Sequence, residues 1–137
     1  MKEIAGPAFL TAAAAHAGFQ ATVTLVVYPT LSHVRAAHWR QAHDRHTGAI
    51  RPLVAVIYLA LVATGVWWLV TDWSVLALVA VALAGLAMAV TALVAVPAHR
   101  RLVRRDEKTL ARLLTADRAR TLLAVGSTAC GLAAVLV

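Results

Sequence analysis

The chain has 137 residues, of which 61% are hydrophobic and only 14% charged, and its mean hydropathy is +0.78. Soluble domains are about half apolar and about a quarter charged, so this composition excludes an ordinary soluble domain and points to a membrane protein. The net charge of +7 does not point to nucleic acid, because the basic residues gather in two links between apolar segments and no stacking surface or binding motif accompanies them.

A hydrocarbon core about 30 Å thick needs roughly 20 mainly apolar residues per helix. Four stretches qualify, at about 5–31, 50–70, 74–97 and 119–137. They predict a single all-α domain over 1–137, an integral membrane up-down four-helix bundle. In the first stretch Ala12–Ala15 offers small residues like those of a signal-peptide cleavage site, but the apolar run continues through Val23, Leu25, Val26 and Val27 and fits a span better. His16, Gln20, Thr24 and Tyr28 recur at every fourth position of that span, a polar stripe that must face the bundle interior. For Gln20 and Tyr28 two readings stand open: interhelical hydrogen bonding, worth about 1 kcal/mol per contact in membranes, or a substrate pocket or proton path. His16 has no carboxylate near it in sequence and leans toward the packing role.

The first link holds four of the six histidines. It lacks Gly, Pro and Asn until Gly48, so it is predicted helical, with His43 and His46 on one face and His33 and His38 toward water or headgroups. The third link is rich in Arg, and Leu102, Val103, Leu110, Leu113 and Leu114 recur near helical spacing in it, which predicts an amphipathic extension along the membrane surface. Only Lys2 and Asp72 mark the opposite side. The positive-inside bias therefore places both basic links in the cytoplasm, and both termini and the Thr71–Ser74 turn outside, in a multi-pass protein of the cytoplasmic (inner) membrane with anionic lipids as partners. Trp67, Trp68 and Trp73 belong at the outer interface. Gly85 with Ala82 and Ala89, and Gly126 with Ala129 and Cys130, predict close helix approach and leave room for a homo-oligomer. Cys130, the only cysteine, permits no internal disulfide and reads as packing.

His99 ends the third stretch, and the topology returns it to the side of His43 and His46. Three imidazoles with an open fourth position suit a transition metal, Cu, Fe or Zn; solvated interfacial histidines are the plainer reading. A haem needs paired histidines at matching depth, and His16 has no such partner. Small four-span multidrug exporters depend on a carboxylate in the first span, whereas here every Asp and Glu falls outside the predicted spans or at their ends.

Gly18-Phe19-Gln20, Val27-Tyr28-Pro29, His43-Asp44-Arg45-His46-Thr47, Val96-Pro97-Ala98-His99-Arg100-Arg101-Leu102 and Asp117-Arg118-Ala119-Arg120-Thr121 form ordered blocks over nearly the whole chain. In this the chain resembles the anthrone oxygenase-like family of small four-span membrane proteins. The resemblance implies an oxidoreductase, a monooxygenase of natural-product biosynthesis, acting on a hydrophobic polyketide- or quinone-like substrate. It carries Gln20, Tyr28, His43, His46, His99, Arg120 and Thr121 over as site residues. The chain departs from the pattern at Asp117, where many relatives have Asn, and near Leu61, where some are acidic; Asp117 would supply a carboxylate at the cytoplasmic rim. On this reading a flat substrate enters from the bilayer, a neutral His removes a proton, Arg120 steadies the resulting enolate or phenolate, and O₂ reacts directly or through a His-bound metal. The same groups would serve a cyclisation or isomerisation. The competing expectation is a non-catalytic membrane subunit or lipid- or partner-binding module that docks through its Arg/His links.

Overall fold

The computed structural model describes residues 2–102 and 106–137. Every regular element among them is helical. Four helical stretches are long and apolar enough to cross a membrane, Glu3–Ser32, Ala36–Thr71, Val75–Arg101 and Glu107–Leu136, and they form an all-α four-helix bundle.

Two of the four stretches are not regular. The first runs as α1 (Lys2–Thr22), a π-helical turn (Val23–Val27) and α2 (Tyr28–Ser32). The third repeats the arrangement as α4 (Val75–Val90), a π-helical turn (Thr91–Ala95) and α5 (Val96–Arg101). Each wide turn begins six residues before a proline, Pro29 or Pro97. Proline has no N–H to donate, and its ring crowds the carbonyl four residues back; one extra residue in the preceding turn relieves both problems. The widening is explicit in the hydrogen bonds, where the Tyr28 N–H donates to the Val23 carbonyl and the Val96 N–H to the Thr91 carbonyl.

The other stretches are continuous. A short 3₁₀ turn, Ala36–His38, leads into α3 (Trp39–Thr71). At 1.5 Å per residue its 33 residues extend about 50 Å, well beyond a hydrocarbon core of about 30 Å. The predicted helical link is thus the beginning of the second span's own helix, and it carries His43 and His46. α6 (Glu107–Leu136) starts where the Asp106 carboxylate accepts the Thr109 N–H at 2.8 Å, just as Ser74 caps α4 by accepting the Ala77 N–H at 3.1 Å; both are ordinary N-cap bonds.

Three expectations are corrected here. The residues from Glu107 on do not lie along a membrane surface: they open the fourth span, with Leu110 and Leu113 buried beside Trp39 and Leu102. Those leucines find a protein surface to cover, which removes the reason to seek the headgroup layer; Val103 of that pattern lies outside the described residues. Trp68 is no interfacial anchor, being buried against Phe9 with ring centroids 5.4 Å apart, while Trp73 is exposed. Gly85 is not a point of close approach, since a Cβ there would meet nothing within 4 Å. The small-residue face of α4 is Ala77, Ala80, Ala84 and Ala87, all buried. The tightest glycine contact is at Gly6, where a Cβ would stand 3.0 Å from Val135 and 3.2 Å from Trp68.

The interior is layered along the bundle axis. One apolar cluster, around Phe9, Leu61 and Trp68, fills the end near the α3–α4 turn. A second, around Tyr28, Trp39, Leu102 and Leu113, fills the opposite, basic end. Between them lies a buried polar layer that includes His16, Gln20, Asp117 and Arg120. Leu25, Leu59, Val70, Leu93 and Leu122 face outward, as apolar helices do when their surroundings are hydrocarbon.

Candidate functional site

A cavity of about 540 Å³ opens at the basic end, and the four spans converge on it: Gln20 and Tyr28 from the first, His43 and His46 from the second, His99 from the third and Arg120 from the fourth. These are the six residues singled out from the sequence as catalytic candidates. Thr121, also carried over by the resemblance, stands behind the wall and supports it. His33 and His38 are exposed, and the His33 ring is tied to the Pro29 carbonyl at 2.6 Å.

The wide turns set the aim of two of the six. An extra residue turns everything after it by roughly 100° about the helix axis, and Tyr28 and His99 both follow one. Their side chains meet across the bundle, with Tyr28 Oη 3.1 Å from His99 Nε2. The other ring nitrogen of His99, Nδ1, is 3.1 Å from His43 Nε2. A neutral imidazole has one donor and one acceptor nitrogen, so the line has two self-consistent patterns. In one, Tyr28 donates to His99 and His99 donates to His43. In the other, every bond is reversed and the Tyr28 hydroxyl proton is free for another acceptor. Beyond His43 the line reaches Asp44, whose carboxylate is 3.9 Å from Nδ1 and largely exposed, a separation that suits a bridging water. Trp39 stacks on the His43 ring at 5.6 Å and 20°, and is itself fixed by donating from Nε1 to the Leu102 carbonyl at 2.9 Å.

His46 packs against both His99, at 6.0 Å between centroids, and Tyr28, at 6.2 Å. The three imidazoles therefore meet as the spacing suggested, but His43 and His99 turn facing nitrogens on each other rather than toward a common point. Among the described residues no group of three or more His, Cys, Asp or Glu side chains is arranged to hold a metal ion.

The inner wall is built on a buried ion pair that the sequence reading placed elsewhere. Asp117 is not a carboxylate at the rim: it is wholly buried on α6, and the expectation that all acidic residues avoid the spans is corrected with it. One of its oxygens accepts from Arg120 Nη2 at 2.6 Å and the other from the Thr24 hydroxyl at 2.5 Å. Thr121 Oγ1 lies 2.7 Å from Thr24 Oγ1. On the opposite side Arg120 Nη1 donates to Thr91 Oγ1 at 3.3 Å, and that oxygen lies 2.6 Å from the Tyr58 hydroxyl while donating to the Ala87 carbonyl. The pair is clasped by one threonine from each wide turn. Burial is tolerable because both charges are paired and hydrogen-bonded. Tyr58 and Thr91 are members of the site that the sequence reading missed, and Asp117 is one that it named but placed at the rim. The signal for Asp117 was its i, i+3 spacing to Arg120 on one helix.

The chain was compared with protein-family models, curated proteins and solved structures, and nothing in any of the three matches it.

Proposed function

We propose that the protein is a small membrane-embedded, oxygenase-like oxidoreductase that deprotonates a hydrophobic polyketide- or quinone-like substrate at the basic end of the bundle, on the cytoplasmic side of an inner membrane. The observation that carries this reading is the hydrogen-bonded line Tyr28–His99–His43 on the wall of a cavity reached by all four spans. The substrate proton passes to Tyr28 Oη while the tyrosine's own proton moves to His99 Nε2, the His99 Nδ1 proton moves to His43 Nε2, and the His43 Nδ1 proton leaves toward Asp44 and water. Arg120, on the inner wall, stabilises the oxyanion that develops. For a ring CH₂ between two aromatic rings that are joined through a conjugated carbonyl, the anion reacts with O₂; one oxygen atom stays on carbon as a new carbonyl, and the other leaves as water with the remaining ring hydrogen and one proton returned from solvent along the same line. The facing nitrogens of His43 and His99 do not present a metal's donor set, so no step is routed through an ion. The arginines of the two basic links pair with anionic lipid headgroups.

The test is oxygen uptake and product mass with an anthrone as substrate, in detergent micelles with and without the protein. The parent accelerates uptake over empty micelles, and Tyr28→Phe and His99→Ala, each checked for retained helix content, lower the rate by about 10²-fold or more, the range of general acid–base catalysis. A parent no faster than empty micelles, or variants at the parent rate, refutes the proposal.

A further inference from the structure

Among the described residues, the buried side-chain nitrogen and oxygen atoms that lack a hydrogen-bond partner fall on three residues only: both ring nitrogens of His16, Nε2 of Gln20 and Nε of Arg120. They are not scattered. His16 and Gln20 are one turn apart on α1, and Thr121 Oγ1 lies 3.5 Å from the Gln20 carbonyl, which sets the Arg120 turn of α6 beside them. The His16 ring meets Tyr58 edge-on at 5.6 Å, and the Tyr58 hydroxyl shares Thr91 with Arg120. Gln20 and Arg120 line the cavity, and His16 lies one turn further in.

A buried donor left unmet forfeits its hydrogen bond to water without replacement, so three such residues in one layer are poorly explained as packing. Arg120 Nε and the Gln20 amide nitrogen can only donate, and a neutral imidazole offers one further donor. The layer calls for an oxygen acceptor. Its charge is already balanced, because Asp117 holds Arg120 at 2.6 Å; a ligand that arrives as a full anion would add an unpaired charge to a buried layer, whereas one that arrives uncharged meets the donors without it and gains negative charge on that oxygen only as its proton leaves. We propose that His16, Gln20 and Arg120 form a subsite for a neutral carbonyl or hydroxyl oxygen at the inner end of the cavity, so that the ligand is an uncharged ketone- or phenol-type molecule bound oxygen-inward. This rests on the cavity being the ligand site. Water is the other source of such an oxygen, and the probes below separate the two.

The parent protein in phosphatidylcholine nanodiscs is equilibrated with 1-tetralone carrying a ¹³C carbonyl, with tetralin, which has the same rings and no oxygen, and with 1-naphthoate, which is charged. Uptake is measured by dialysis against protein-free nanodiscs. At about fivefold per hydrogen bond, two donors give the ketone a preference of about 25-fold over tetralin. Gln20→Leu cuts that preference about fivefold, leaves tetralin unchanged and moves the bound C=O stretch back to higher wavenumber; because it removes an unmet donor, it melts no lower than the parent. Naphthoate binds more weakly than tetralone. Equal binding of ketone and hydrocarbon, or a preference indifferent to Gln20→Leu, overturns the subsite and assigns those donors to water while the cavity reading stands. Tighter binding of naphthoate overturns the neutral-oxygen assignment. Failure of all three probes to bind the folded protein overturns the cavity reading together with the subsite.

Discussion

Asp117 and Arg120 are 0% and 7% exposed and pair with each other at 2.6 Å. Replacing Asp117 by Asn keeps the size and a group for the Thr24 hydroxyl, but leaves the guanidinium as an unbalanced buried charge. Removing one partner of a buried pair costs about 3–5 kcal/mol, while exchanging both for neutral groups is often near neutral. Asp117→Asn and Arg120→Met should therefore each destabilise the bundle by about 3–5 kcal/mol. The double variant should lose less than either single one, so the coupling energy should be at least about 3 kcal/mol, at the top of the range for residues in direct contact. The assay is equilibrium unfolding in mixed micelles titrated with sodium dodecyl sulfate, followed by helix content for the parent, both single variants and the double. Single losses below about 1 kcal/mol, or losses that add to within about 0.5 kcal/mol, would refute the claim that this pair is a buried, mutually dependent unit.

Two further predictions concern the ends and seams of the helices. Hydrogen bonds from Thr109 to the exposed Asp106 carboxylate hold its pKa below the ordinary value. A lowered folded pKa stabilises fully above the unfolded value of about 3.9 and is lost as pH falls through the folded one, so amide exchange at Thr109, corrected for its intrinsic rate, should accelerate on acidification through that window. Asp106→Ser, a cap that does not titrate, should remove the acceleration. Gly6→Ala should cost about 1–3 kcal/mol by overpacking against Val135 and Trp68, whereas Gly85→Ala, with open space around its new methyl, should melt at or above the parent; thermal melting in detergent compares the two, and the reverse order would contradict the packing described here.

Hydropathy carried most of the fold, because four apolar runs of spanning length leave a helical bundle as the economical solution, and the period-four stripe from Gln20 to Tyr28 marked the face that became the cavity wall. The histidines were legible through topology: His43 and His46 through helical spacing, His99 because an even number of crossings brings it back. Asp117 was misplaced because a sequence-distance rule treated it as near an end, when α6 begins at Glu107, twelve residues before the fourth span predicted at 119, and carries it deep inside. Thr91 and Tyr58 carry no motif, and their roles arise only when three helices meet. Pro29 and Pro97 entered the sequence reading only as members of motif blocks, and proline alone does not say whether a helix kinks or gains a residue.

The two wide turns make the site depend on the number of residues in each helix as well as on their kinds. Deleting one residue between 23 and 27, or between 91 and 95, would leave a span of sufficient length and unchanged hydropathy, yet the following segment would rotate by roughly 100° and carry Tyr28 or His99 off the cavity wall. A chain so altered would still insert and bundle while the hydrogen-bonded line Tyr28–His99–His43 was cut. Two helices that look interchangeable to the bilayer therefore differ, to the chemistry inside them, by a single increment of phase.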